Sequence, residues 1–190
     1  MDNDDVIISG RSVIKTMEEC EPHKDILVKP NLWRKMGTLC KMTAVAARLA
    51  LKEAGIEDRD IPRDRTAVIL ATTHGPTESK LLFIQDAYKY GLHLASPFVF
   101  PNTVMNMPAG MVSIETGARG TNCMFVMDSG HLKAVTDYSA QLIREKMAEL
   151  VICGSAHEPK GLTEIIDDVN CGVEIIIMES RSRASARGRK

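Results

Sequence analysis

The sequence predicts an α/β fold, a mixed and mostly parallel sheet with helices on its faces, formed by one domain over residues 1–190. Strand-like and helix-like segments alternate along most of the 190 residues, which is typical of strands joined by crossover helices. The run Ala67–Thr72 is continuously apolar, as in a strand buried on both faces. The segment after Ser129 carries its apolar residues on one face, as in a helix packed against such a sheet.

The first third of the chain predicts one strand and one long helix. Val6–Ser9 is rich in β-branched residues and is predicted to be the first strand. Residues 18–35 mix charge with proline and are expected to form a surface loop. In Gly37–Ala54 apolar residues recur every three or four positions, which predicts a helix. Gly55 then supplies a stop signal for this helix.

The middle of the chain predicts two more helices and another strand. Thr77–Tyr90 has helical spacing and is followed by a glycine. Residues 96–103 contain two prolines and are predicted to be a loop or an irregular strand. Asn106 is a suitable cap for a short helix that ends at Ile114. Cys123–Met127 is apolar and is predicted to be a strand.

The last third predicts a long helix and two strands. Ser129–Met147 is predicted to be a helix buried on one side only, because burying an unpaired charge is costly and its polar residues share one face. That polar face consists of Lys133, Asp137, Gln141 and Arg144. The apolar segments Leu150–Cys153 and Val173–Met178 predict the last strands. The polar, basic residues 181–190 are expected to form a frayed, solvated end, the alternative being a contact with phosphate groups of nucleic acid or of a carrier-protein arm.

The composition argues against several classes of protein. The formal net charge is −1 and the aromatic content is 4%, which gives little electrostatic or stacking basis for binding nucleic acid. No apolar stretch is long enough to cross a membrane, and the acidic residues 1–5 do not begin a signal peptide. The five cysteines lack metal-ligand spacing and fit reduced thiols. We therefore expect a cytoplasmic protein with no metal, no cofactor, no membrane span and no nucleic-acid partner.

Ser129 is the candidate nucleophile. It follows the apolar run that ends at Met127 and precedes the long helix, where the helix dipole and free backbone N–H groups can stabilise an anion. A serine needs an adjacent general base. His131 is two positions away and is poorly placed by helical spacing, whereas His157 follows a predicted strand and could approach. The alternative is that Ser129 or Asp128 simply caps the helix.

Two further groups of residues suggest binding sites. His74, His131 and His157 could converge from strand ends and a helix start, but they match no metal motif, so no metal ligands are predicted. Several methionines could line an acyl tunnel or fill the core, since methionine packs adaptably. These methionines are Met105, Met107, Met111, Met124 and Met127. We take Met105, Met107, Met111 and Phe125 as the candidate substrate-binding residues.

The order of these motifs resembles the N-terminal domain of the β-ketoacyl synthases, the condensing enzymes of the thiolase fold. That family's opening strand and turn are similar to VIISGRSVI, and its first helix is similar to MTAVAARLALKEAGI. The strongest match is SPFVFPNTVMNMPAGMVSIETGARGTNCMFVMDSG, whose PN…N.PAG..SI..G..G.N pattern leads into the nucleophile turn. The following elements of the family are similar to LIREKMAELVICGSAHE and GVEIIIMESRSRASARGRK. The resemblance implies one half of a thiolase-type fold.

Two departures from the family affect its function. In active members a cysteine occupies the position that corresponds to Ser129 here. The family's two catalytic histidines and its lysine lie in a C-terminal domain, and this sequence ends before that domain would begin. The resemblance therefore implies a subunit that cannot condense acyl groups alone.

The resemblance also implies partners. The family dimerises through the strand before the nucleophile, which predicts a homo- or heterodimer seam here that includes Thr121, Cys123, Phe125 and Met127. The leading hypothesis is a chain-length-factor-like partner of a full-length condensing enzyme and an acyl carrier protein, in a fatty-acid or polyketide-type pathway. The alternatives are a serine-dependent acyltransferase or thioesterase that uses Ser129, and a stand-alone binding or scaffold module.

Overall fold

A computed structural model of the chain describes residues 6–94, 96–158 and 171–188. Its strands are β1 (Val6–Ile14), β2 (Thr66–Thr72), β3 (Asn122–Val126), β4 (Leu150–His157) and β5 (Gly172–Ser180). Its α-helices are α1 (Met17–Cys20), α2 (Thr38–Glu53), α3 (Thr77–Tyr90), α4 (Met107–Thr116), α5 (His131–Arg144) and α6 (Arg181–Ala186). The expected loop at 18–35 contains short helical turns.

The five strands form one mixed sheet in the order β1-β5-β4-β2-β3. The pairs β2–β3 and β2–β4 are parallel, whereas β1–β5 and β4–β5 are antiparallel. Four strands therefore run in one direction and β5 runs in the other. This arrangement confirms the predicted α/β class and the mostly parallel sheet.

Helices cover both faces of this sheet. On one face the core contains residues of α2 and α4 together with Val68 and Leu70 of β2. On the other face the core contains residues of α5 together with Ala67 and Ile69. Successive side chains of β2 thus enter opposite layers, and all seven residues of the strand are buried. This burial on both faces explains why Ala67–Thr72 is continuously apolar.

Helix α5 is buried on one side only, as predicted. Val135, Ser139 and Leu142 are buried, whereas the four polar residues of the opposite face are exposed. The helix is shorter than expected. It begins at His131 rather than Ser129, because Gly130 has a φ of 72°, a left-handed conformation that a helix cannot contain. It ends at Arg144 rather than Met147.

The described residues 181–188 are folded around α6, so the expectation of a frayed tail is wrong for them. Glu179 lies at the end of β5 and its side chain is fully buried. It forms ion pairs with Arg183, at 3.2 Å, and with Arg187. Both arginines belong to the segment around α6, which is therefore held against the sheet by a buried carboxylate. Residues 189 and 190 lie outside the described part of the chain.

Candidate functional site

Ser129 lies exposed in the turn between β3 and α5, at the strand-to-helix junction that the sequence predicts. The N-cap residue of α5 is Gly130, and no side chain caps the helix. The expectation that Ser129 or Asp128 caps α5 is therefore wrong. In the described part of the chain, no hydrogen bond joins the Ser129 hydroxyl to a histidine or a carboxylate. Its role as a nucleophile stays a prediction.

His131 and His157 lie in contact. Their ring centroids are 4.6 Å apart and the rings are nearly perpendicular, at 84°. Both residues are buried, with exposed fractions of 5% and 6%. His131 Nε2 lies 2.8 Å from the carbonyl oxygen of Met127 and 3.1 Å from Thr73 Oγ1. The chain topology explains the contact, since α5 starts and β4 ends at the same edge of the sheet.

His74 does not join these two histidines in a metal centre. Among the residues that the structure describes, no group of three or more His, Cys, Asp or Glu side chains is placed to hold a metal ion. His74 follows β2, where its carbonyl oxygen accepts a hydrogen bond of 3.0 Å from Lys80 Nζ.

Three cysteines are poorly suited to replace a nucleophilic thiol. Cys20, Cys40 and Cys153 are buried. Burial raises the pKa of Cys20 and of Cys40 to about 12, and raises the pKa of Cys153 to about 11. Because the thiolate is the reactive form, these three side chains are inert near neutral pH.

The candidate acyl-binding residues lie on opposite sides of the sheet. Met107 and Met111 of α4 pack in the core layer of α2. Phe125 packs in the layer of α5, with its ring edge-on to Tyr138 at 5.6 Å. Met105 is elsewhere again, with its sulfur 2.9 Å from Lys80 Nζ. The structure therefore does not bring Phe125 together with the three methionines.

Strand β3, the predicted dimer strand, is an edge of the described sheet. One side of it pairs with β2, and Val126 near its end is 60% exposed. A second exposed apolar region follows β2, and we name its described residues, 81–94 and 96–104, the α3 surface. It contains ten large apolar residues that are more than 40% exposed: Leu81, Leu82, Ile84, Tyr88, Tyr90, Leu92, Leu94, Phe98, Phe100 and Val104. Exposed apolar surface of this extent is typical of a binding surface.

Glu158 is a buried ionisable residue that sequence reasoning missed. It follows β4 directly and is 7% exposed. Its Oε2 accepts a hydrogen bond of 2.8 Å from the backbone N–H of Glu78, in the first turn of α3. Burial raises the pKa of Glu158 to about 7, and the negative charge of Glu78 acts in the same direction. The backbone N–H groups of Glu78 and Thr77 and the positive charge of Lys80 act to lower it. Only the folded position, between β4 and α3, distinguishes this glutamate from surface ones.

The chain matches one protein family over most of its length. The family model of the β-ketoacyl synthase N-terminal domain matches residues 6–166. A 3-oxoacyl-[acyl-carrier-protein] synthase 2 of Staphylococcus aureus is 27% identical over 126 residues, which are 66% of this chain and 30% of the relative. A Synechocystis protein of the same name is 26% identical over 125 residues, 64% of this chain and 29% of that relative. The matched segment thus spans about a third of these relatives.

Solved structures share the whole described fold. A complex of a type II polyketide acyl-carrier protein with its ketosynthase contains a chain that matches with a TM-score of 0.82 and 14% identity, covering 98% of this chain and 65% of that chain. The ishigamide ketosynthase/chain length factor matches with a TM-score of 0.78 and 16% identity, covering 98% and 61%. The neighbours confirm a fold of the ketosynthase type. No helix in the described ranges has the length and apolar character needed to cross a membrane.

Proposed function

Because this chain belongs to the β-ketoacyl synthase N-terminal domain family, we propose that it is a ketosynthase-like subunit that cannot condense acyl groups alone. It supports a full-length condensing enzyme, as a chain-length-factor-like partner in a cytoplasmic fatty-acid or polyketide-type pathway. An acyl carrier protein delivers substrate to that pair. The observation that carries the proposal is the junction at Ser129, which keeps the strand-to-helix turn but holds a hydroxyl with no hydrogen-bonded base.

The chemistry at this junction supports a non-condensing role. A serine hydroxyl ionises far less readily than a thiol and needs a general base to attack a thioester. His131 is a poor base for Ser129, because its Nε2 faces the carbonyl oxygen of Met127 at 2.8 Å. The buried thiols of Cys20, Cys40 and Cys153 are inert.

Two surfaces support a role that depends on a partner. An unpaired edge strand such as β3 is a site for pairing with a strand of another chain. The α3 surface adds apolar area that soluble monomers rarely expose. A ketosynthase/chain length factor is among the structures similar to this chain, which favours a condensing enzyme as the partner. The exposed polar face of α5 indicates that this face stays in contact with water.

We expect the isolated chain to dimerise through β3 at concentrations of tens of micromolar. The substitution Val126→Lys should then raise the dimer Kd by about tenfold or more, because an unpaired charge buried in an interface costs about 1.4 kcal/mol or more. Light scattering after gel filtration measures both states. Ile8→Lys is the matched control, since Ile8 is 59% exposed and lies in β1, at the opposite edge of the sheet from β3. A wild-type chain that stays strictly monomeric would contradict the homodimer.

We expect no covalent acyl group on the wild-type chain after incubation with an acyl thioester, as measured by intact mass. Ser129→Cys should become acylated roughly tenfold or more faster than the surface control Ser185→Cys, because a thiol near the N-terminal end of α5 ionises more readily than an ordinary surface thiol. Ser185→Cys, an exposed site on α6, controls for random acylation of a surface thiol. A wild-type mass increase that disappears in Ser129→Ala would support the serine-dependent acyltransferase or thioesterase instead.

A further inference from the structure

The two edges of the sheet differ in what lies against them. At one edge β3 pairs with β2, and no side chain in the described ranges accepts a hydrogen bond from a backbone N–H group of β3. At the other edge β1 pairs with β5. Carboxylate groups lie along the outer side of β1, and the function proposed above makes no use of them.

Glu53 covers the middle of the outer edge of β1. Its Oε2 accepts a hydrogen bond of 2.5 Å from the backbone N–H of Arg11. In an antiparallel pair the N–H and C=O groups of one residue point together, either toward the partner strand or away from it. Those of Arg11 therefore point away from β5, in the direction from which another strand would approach. A strand that pairs here needs the same N–H group that Glu53 already binds.

Two further features disturb the same edge. The register between β1 and β5 shifts from Ile8 to Gly10, so Ser9 is an extra residue in β1, as in a β-bulge, which bends a strand and interrupts its ladder. Just beyond the end of β1, the backbone N–H of Lys15 donates a hydrogen bond of 2.8 Å to Glu19 Oε2. The outer edge of β1 is thus interrupted near its start, its middle and its end.

Helix α2 holds Glu53 at this position. Ser12 Oγ of β1 donates a hydrogen bond of 2.6 Å to the Ala46 carbonyl oxygen of α2. A methyl group at Gly10 would overlap the Ala50 carbonyl oxygen, so the helix and the strand are in close contact there. Glu53 is the last residue of α2 and reaches the edge from a helix that is fixed against β1.

Without Glu53, β1 would be suited to pair with β1 of a second copy of the chain. Any strand is complementary to itself across a two-fold axis, where the two strands run antiparallel. Val13 is two residues from Arg11, so its N–H and C=O groups also point outward. Ile8 and Val13 are 59% and 48% exposed, and pairing of two β1 strands would bury part of both side chains.

We propose that Glu53 is an autoinhibitory contact, which prevents β1 from pairing with β1 of a second copy and leaves β3 as the edge that is open to a partner. The Glu53 carboxylate competes with an incoming strand for the Arg11 N–H, and its side chain lies where that strand would lie. The contact is formed within one chain. It therefore does not depend on the partner proposed above.

Removal of the Glu53 carboxylate tests this contact in a chain whose β3 edge already carries Val126→Lys. Val126→Lys/Glu53→Ala should self-associate with a Kd about tenfold or more below that of Val126→Lys alone, as measured by light scattering after gel filtration. Glu53 is exposed at the end of α2, and alanine is a good helix former. The urea midpoints of the two proteins should therefore agree.

Val126→Lys/Glu53→Gln is the matched control. Glutamine lacks the charge, but its side-chain oxygen can still accept the hydrogen bond from the Arg11 N–H. This variant should associate no more than Val126→Lys does. Adding Val13→Lys to Val126→Lys/Glu53→Ala should reverse the association, because lysine on an edge strand opposes pairing.

Amide hydrogen exchange locates the new contact. In Val126→Lys/Glu53→Ala the Arg11 amide should exchange faster than in Val126→Lys while the chain is dilute, and more slowly once the chain associates. The proposal is overturned if Glu53→Ala leaves association unchanged, if Glu53→Gln associates as strongly as Glu53→Ala, or if association protects other amides but not those of β1. These results would leave the β3 and acylation experiments unaffected, since both use chains that keep Glu53.

Discussion

Gly154→Ala is expected to destabilise the folded chain by about 4 kcal/mol or more, which is enough to unfold many domains of this size. Gly154 lies in β4, between β2 and β5, and pairs with Ile175. A methyl group there would overlap the Glu174 carbonyl oxygen and would lie 3.0 Å from the Ile175 Cα. These are backbone atoms that cannot rotate away, and β4 is held on both sides. Urea unfolding followed by circular dichroism measures the loss.

Gly110→Ala is the matched control for this substitution. Gly110 lies within α4, and an added methyl group there would meet no atom within 4 Å. Alanine favours a helix over glycine by roughly 1 kcal/mol, so this variant should be slightly more stable than wild type. A free energy of unfolding of Gly154→Ala within about 1 kcal/mol of the wild-type value would contradict the close approach of β4 to β5.

Glu158→Gln is expected to stabilise the chain by about 2–3 kcal/mol at pH 8 and by little near pH 5. Burial raises the pKa of Glu158 from 4.5 to about 7 in the folded chain. Between these two values the folded state binds a proton that the unfolded state has lost. The free energy of unfolding of wild type therefore falls as the pH rises through this interval, and stays lower above it.

Glutamine removes this dependence, because it never ionises and its side-chain oxygen can still accept the hydrogen bond from the Glu78 N–H. Urea midpoints measured from about pH 5 to about pH 8 should therefore diverge between the two proteins. Glu21→Gln is the control, since Glu21 is exposed and pairs with Lys24. Parallel curves for wild type and Glu158→Gln would contradict the burial of this carboxyl group.

Sequence patterns predict the elements that have one apolar face or two. Ala67–Thr72 was expected to be buried on both faces, and the structure places it in the middle of the sheet. The polar stripe of α5 was expected to face solvent, and it does. These properties are local in the chain, because the spacing of apolar residues encodes them directly.

Properties that depend on distant partners could not be predicted in this way. A charged residue after an apolar run predicts the exposed end of a strand, yet Glu179 is buried within β5. Its burial requires Arg183 and Arg187, which the composition of the tail presents as solvated residues. The start of α5 also shifted from Ser129 to His131, since Gly130 adopts a left-handed conformation that residue spacing does not reveal.

The candidate site was predictable only in part. The sequence allowed His131, at a helix start, and His157, after a strand, to converge but did not predict that they would, and the structure brings them into contact. The sequence contains no comparable signal for Glu158, whose burial comes from α3 lying over the end of β4. The catalytic role of Ser129 stays a prediction that acylation experiments can test.

The position of β1 has a consequence for how the protein is made. In the described sheet β1 has β5 as its single neighbour, so β1 pairs with a strand that leaves the ribosome much later. Until residues 172–180 leave the ribosome, the apolar residues of β1 and α2 have no β5 to pack against. Such long-range closure slows folding and leaves intermediates prone to aggregation. The nascent chain should therefore bind chaperones until β5 has left the ribosome.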